Sequence, residues 1–248
     1  MMMDYGPLLI IVAALGLGAI AKGATGMGLP LIAMPVLASY FALPHAVSIL
    51  TIPIIATNFW QAWRFRHERG APEMRFLLPM AVTGAVGIVI GTYILAEVDE
   101  RILLLLLGLV LLSYVAFRLL RPSVVVGIEA GRRFAVPAGL AAGMLQGSAG
   151  LSSPVVATFI HAMGLAYGPH VFAVSVIFLV LGVAQLPALA ATGILEWRWV
   201  AEGIFALVPA LLFLPVGQKL GAAISRAAFD RLMLGFIALM GLKMASGV

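Results

Sequence analysis

The chain has no cysteine. Disulfides, thiol redox relays and thiolate metal sites are excluded with it. Charge is nearly as scarce: Asp, Glu, Lys and Arg make up 10% of the 248 residues, against about 25% in a soluble domain. Little material remains to coat a soluble domain. The stretch Met1 to Gly6 holds an aspartate and no Lys or Arg. Without a basic start, the first apolar run is expected to stay in the membrane and not to be removed as a signal peptide. No glycine-rich Lys-Ser/Thr phosphate loop follows a strand, so ATP hydrolysis within this chain is unsupported. The net charge of +5 does not suggest nucleic acid, because the basic residues sit in a few short loops, as orientation signals do. No metal and no cofactor is expected.

What is present is apolar: 63% of the residues are hydrophobic and the mean hydropathy is +1.13. Several runs exceed the roughly 18 to 20 residues that cross a bilayer as a helix. The expected fold is an all-α polytopic membrane protein with seven to eight hydrophobic segments. The first run, 6–41, is too long for one spanning helix and must bend or turn back. Helices are expected over 45–63, 76–96 and 102–118, then a broken segment over 134–164, and helices over 170–192, 199–217 and on to about 247. Trp60 and Trp63 fit an interfacial belt.

The chain reads as two related halves, 1–120 and 134–248, joined by a basic linker, 121–133. The strongest sign is a repeated motif. Lys22-Gly23-Ala24-Thr25-Gly26-Met27-Gly28-Leu29-Pro30 lies over Gln146-Gly147-Ser148-Ala149-Gly150-Leu151-Ser152-Ser153-Pro154 without a gap, matching two glycines and a proline. Glycine weakens a helix and proline removes a donor. In lipid, freed backbone groups are tolerated only where protein or a wet cavity satisfies them. The two copies are therefore expected to be broken or re-entrant hairpins facing each other across a central site. Leu43-Pro44-His45 is answered by Gly168-Pro169-His170.

Charge orients the halves. The loop 64–75 holds Arg64, Arg66, Arg69 and Arg75, and the connection 118–133 holds Arg118, Arg121, Arg132 and Arg133. Both are expected inside. The loop 97–101 is acidic and expected outside, as is 193–199 with its single Arg198. The link 218–231, with Lys219, Arg226 and Arg231, is expected inside. The halves would then be inverted, each with a broken hairpin plus about three spanning helices. The competing arrangement is eight plain spans in parallel repeats with 193–199 inside.

The run Gly-Ala-Thr-Gly-Met-Gly-Leu-Pro-Leu-Ile-Ala-Met-Pro-Val-Leu at 23–37, with the second Gly-x-x-Gly-x-x-x-Pro at 147–154, resembles the TauE/SafE family of membrane permeases over most of the chain. The second motif carries Ser152 and Ser153 where that family usually has more glycine. The resemblance implies transport of a sulfur-containing anion: sulfite, thiosulfate, sulfoacetate or another organosulfonate, with other small organic anions moved by some members. An inner-membrane, multi-pass location follows from it.

An anion is also what the residues suggest by themselves. A helix that restarts after a glycine break presents free amides at a positive dipole end. The expected substrate-binding residues are Lys22, Gly23, Thr25, Gly26 and Gly28 from the first motif, Gln146, Gly147, Ser148, Gly150, Ser152 and Ser153 from the second, and Asn58 and Gln185 from the following helices. The simpler account of the glycines is close helix packing. Lys22 is the sharpest residue, since a lysine at a helix centre costs about 2.5 to 3.5 kcal/mol on insertion scales and usually faces a wet cavity or a partner. His161 and Glu202 are candidates for proton coupling, whereas His45 and His170 read as boundary residues. A Ser/His hydrolase is disfavoured, because Ser148 takes the second slot of its Gly-Ser-Ala-Gly and no paired carboxylate orients a histidine. A non-transporting assembly factor is the remaining alternative. The expected partners are the anion, the bilayer and a coupling proton or other ion.

Overall fold

A computed structural model describes residues 6–26, 28–120, 125, 127–223 and 225–247. Every regular element among them is helical: α1 (Gly6–Thr25), α2 (Leu29–Ala38), α3 (Leu43–Arg64), α4 (Leu77–Glu97), α5 (Glu100–Leu120), α6 (Gly127–Ala149), α7 (Ser153–Ala162), α8 (Tyr167–Ala191), α9 (Trp197–Phe205), α10 (Leu207–Ala223) and α11 (Arg226–Ser246). Two 3-10 turns, Arg66–Gly70 and Pro72–Phe76, join α3 to α4. Six segments are long and apolar enough to cross a membrane, and α2 and α7 are short apolar helices of 10 residues. This is a polytopic all-α membrane protein.

The breaks fall where the glycines stand. Gly26 and Gly150 adopt left-handed backbones, φ 81° and 64°, and end α1 and α6. Their amides close the last turns onto Lys22 O at 2.7 Å and Gln146 O at 2.8 Å. Only glycine takes that conformation without a Cβ penalty. Pro30 and Pro154 then open α2 and α7 in the first turn, where a missing N–H costs nothing. The motif residue Met27 lies outside the described residues. So do Arg121 and most of the start of the expected linker, whose remainder, from Gly127, is the first turns of α6. Arg132 and Arg133 therefore stand on a helix and not in a loop. The expected helix over 199–217 is interrupted at Ala206, between α9 and α10. Pro209 has no amide to donate and its ring crowds the carbonyl four residues back, that of Phe205.

Close approaches fix the helix directions. Gly16 meets Phe213, Gly23 meets Leu214 and Gly217, and Gly221 meets Ala24, so α1 and α10 run parallel. Gly84, Gly87 and Gly91 meet residues 139 to 148 in rising order, so α4 and α6 also run parallel. In contrast, α3 and α8 are antiparallel, through Gln61 with Ser175 and Ile55 with Gly182. So are α5 and α11, through Arg118 with Asp230 and Gly108 with Gly241. The first helix of each half thus packs on the fourth segment of the other, while the third and last segments pair with their own counterparts. α1–α5 and α6–α11 have the same layout in opposite sense, each with a broken hairpin (α1–α2, α6–α7) and three further segments, α9 and α10 together forming one.

The loops sort to two ends. At one end, Arg132 donates to Pro72 O (2.7 Å), Phe65 touches Tyr167, and Arg118 pairs with Asp230. At the other, Glu100 accepts the Leu43 amide, His45 meets Glu202, and Lys243 lies over Tyr40. The segments 64–75 and 218–231 share the first end. The segments 97–101 and 193–199 share the second.

Candidate functional site

The side of α1 that turns from α10 carries Lys22 toward α3. Lys22 is 2% exposed, and its ammonium donates to Asn58 Oδ1 at 2.7 Å, while Asn58 Nδ2 donates to Ile54 O at 2.8 Å. An ammonium has three donors, and Asn58 takes one. Lys22 lines a cavity of about 830 Å³ that reaches the basic end. From α7 the cavity wall takes Ser153, Ala157 and His161, and from α8 it takes His170. Ser153 is 1% exposed, and its Oγ has no hydrogen-bond partner. A buried, unpaired hydroxyl costs about 1 to 3 kcal/mol. Here it opens α7, whose following backbone groups are already accounted for: Pro154 has no N–H, and Val155 and Val156 donate to Ser152 O at 3.1 and 3.0 Å. Arg64 and Arg118 stand among the lining residues, with Asp230 paired to Arg118 at 3.6 Å.

The expected site residues divide into two groups. Lys22, Gly23, Thr25, Gly26, Gly28 and Ser153 share the cavity, together with His161. Asn58 stands behind Lys22 and holds it. The others do not line the cavity. Gln146 Oε1 accepts from the Ser152 amide (3.2 Å) and hydroxyl (2.8 Å), Gln146 Nε2 donates to Gln185 Oε1 (3.0 Å), and Gln185 Nε2 donates to Gln146 O (2.9 Å). This buried cluster ties the second break shut with its own side chains. Ser148 Oγ donates to Met144 O within its helix.

The two breaks also do not meet head to head. Gly26 sits against Val171 near the start of α8, and Gly150 against Val47 near the start of α3. Because α3 and α8 are antiparallel, the breaks lie toward opposite ends. Gly23 and Gly147 are packing residues as well: a Cβ on Gly23 would come within 2.2 Å of Leu214 O, and one on Gly147 within 2.6 Å of Ile88 O. His161 and Glu202 form no common relay. His161 faces His170 across 6.2 Å in the cavity, whereas Glu202 bonds His45 and Arg198 at the other end.

One contributor was missed. Gln61 lines the cavity, accepts from Ser175 Oγ at 3.3 Å, and lies 3.5 Å from Gly26 O with its amide nitrogen. The sequence offset between the two motifs also relates Gln61 to Gln185 and Thr51 to Ser175. Carrying that offset into the third helices would have found it.

Inverted helical halves, broken hairpins and a buried cation facing a cavity open to one end define a membrane transport protein. The model of the sulfite exporter TauE/SafE family matches residues 10–244, and the chain belongs to that family. Membership makes it a membrane transporter of sulfite or related anions. Neither the curated proteins nor the solved structures compared with it give a match.

Proposed function

We propose that this chain is a secondary transporter that holds a small sulfur oxyanion in the Lys22 cavity. The carrying observation is that a buried ammonium and an unpartnered buried hydroxyl, Ser153 Oγ, face the same cavity from the two halves. Lys22 supplies the counter-charge. Ser153 Oγ supplies a hydroxyl donor, which suits an anion rich in oxygen. Gly26 and Gly28 each offer close approach without a side chain. Arg64 and Arg118 draw the anion toward the mouth. The basic end is cytoplasmic by the charge rule, so the cavity faces the cytoplasm and the protein resides in the cell membrane. An ion gradient or the solute's own gradient drives transport, and His161 beside His170 is the cavity group able to exchange protons.

A thermal-shift screen of the purified chain against sulfite, thiosulfate, sulfoacetate and simple carboxylates tests the substrate. Stabilisation by the sulfur anions and not by the carboxylates is expected. The reverse order would assign another organic anion. Lys22→Met is expected to lose the shift and the uptake of labelled anion into vesicles, and an unchanged response in both would remove Lys22 from the site. A wild-type chain that moves none of these solutes would favour an assembly role.

A further inference from the structure

The end of the molecule away from the cavity mouth carries a polar cluster that the anion site does not use. His45, at the start of α3, bonds the carboxylate of Glu202 on α9. The two side chains are only 15% and 13% exposed. The other Glu202 oxygen accepts from Arg198 Nε at 3.3 Å. Trp199 stacks on the imidazole, with ring centroids 4.7 Å apart and planes at 16°, and Phe41 meets the same imidazole edge-on, also at 4.7 Å. The bond joins a helix of the first half to a helix of the second. Its counterpart at the open end, His170, meets His161 and lines the cavity. One end is therefore bridged by a carboxylate and covered by aromatic rings, and the matching end is open.

We propose that His45 and Glu202 form a proton-binding gate that closes this end of the transport path. The proposal rests on the transport reading, since a gate matters only if a solute passes. In the closed state one proton is shared between imidazole and carboxylate. When the aqueous phase at this end acidifies, a second proton adds to Glu202. The carboxyl is then neutral, its attraction to the imidazolium is lost, and α3 and α9 part beneath Trp199. When the pH rises, that proton returns to the same phase and the bridge reforms. The groups facing the pair are few. Arg198 comes from α9, and Glu100, at the start of α5, accepts the Leu43 amide two residues before His45. Lys243 on α11 is turned to the Tyr40 ring, 5.5 Å away. Among the described residues, α2, α8 and α10 place no charged side chain at this end.

The absence of native cysteine makes a direct test available. Val47, 1% exposed and two residues beyond His45 on α3, is changed to Cys, and Trp197, 88% exposed at the same end, is changed to Cys in a separate reference chain. Both are reconstituted in vesicles and labelled with a membrane-impermeant maleimide. Thiolate is the reactive form, so labelling of any fixed thiol falls as pH falls. The Val47→Cys rate relative to the Trp197→Cys rate is expected to rise about ten-fold between about pH 8 and pH 5, the range in which a histidine–carboxylate switch operates. Adding Glu202→Gln, which mimics the protonated carboxyl, is expected to make the ratio high at every pH. His45→Gln is expected to do the same. A ratio that stays low and flat in the parent and in both variants overturns the gate. So does a rise that persists unchanged in Glu202→Gln, which would assign the pH response to other groups. Labelling does not depend on any solute. A failed gate is thus distinguishable from a failed transport reading, which the uptake assay with Lys22→Met reports separately.

Discussion

Ser153 and Lys22 are chemically opposite neighbours of one cavity: a hydroxyl with no partner and a cation with one. Removing the hydroxyl should separate stability from affinity. Ser153→Ala deletes a buried donor that no described residue satisfies, so thermal stability in detergent should hold or rise. Affinity for the anion should fall about ten-fold, or about 1.4 kcal/mol. A serine kept only for structure would move stability down and leave affinity alone. Lys22 was legible in the sequence because a lysine inside an apolar run demands an explanation. Ser153 was legible because the motif repeats. The His45–Glu202 bridge was not, and Gln61 was reachable only by carrying the motif offset into α3. Their meaning comes from partners 114 and 157 residues away in the chain, and hydropathy carries no information on such pairings.

Among the elements, α4 and α6 show what the glycines accomplish. Gly84, Gly87 and Gly91 face Gly139, Gly143 and Gly147, and a Cβ on Gly143 would sit 2.0 Å from the Gly84 carbonyl. Backbone meets backbone, and no rotamer change relieves the clash. Gly143→Ala should therefore destabilise by about 1 to 3 kcal/mol. Gly235→Ala on α11, where nothing lies within 4 Å, should be neutral or slightly stabilising, by up to about 1 kcal/mol. Parallel thermal unfolding of the two variants checks the contrast. The helices themselves were readable to within a few residues, because long apolar runs leave the backbone one way to satisfy itself in lipid. The start of α6 was misplaced, since Glu129, Arg132 and Arg133 interrupt the apolar pattern without opposing helix. The break at Ala206 was passed over because Pro209 lies inside a continuous apolar run. The head-to-head meeting of the two breaks failed because each lies off the middle of the bundle, Gly26 beside the start of α8 and Gly150 beside the start of α3, and inversion then sets them toward opposite ends.

At the scale of the whole molecule, the charges and the packing agree on two distinct ends. A cysteine at Trp197 and one at Arg69, both exposed, should lie on opposite faces of the membrane. In intact cells an impermeant maleimide should label the Trp197→Cys chain, and the Arg69→Cys chain only after lysis. Equal labelling of both in intact cells would mean parallel halves. The grouping of 64–75 with 218–231 could be expected from Arg and Lys counts alone. The exchange that produces it, α1 onto α10 and α6 onto α4, could not, because any of several apolar faces would satisfy the same composition.

That exchange has a consequence for how the chain is made. α1 leaves the ribosome well before α10, the surface it packs on. Until then its glycine face, with Gly16 and Gly23, has only lipid beside it, and Lys22 waits in the bilayer for the rest of its enclosure. The amino-terminal half is therefore unfinished when it emerges, and completion of the first helix is a late step of biogenesis.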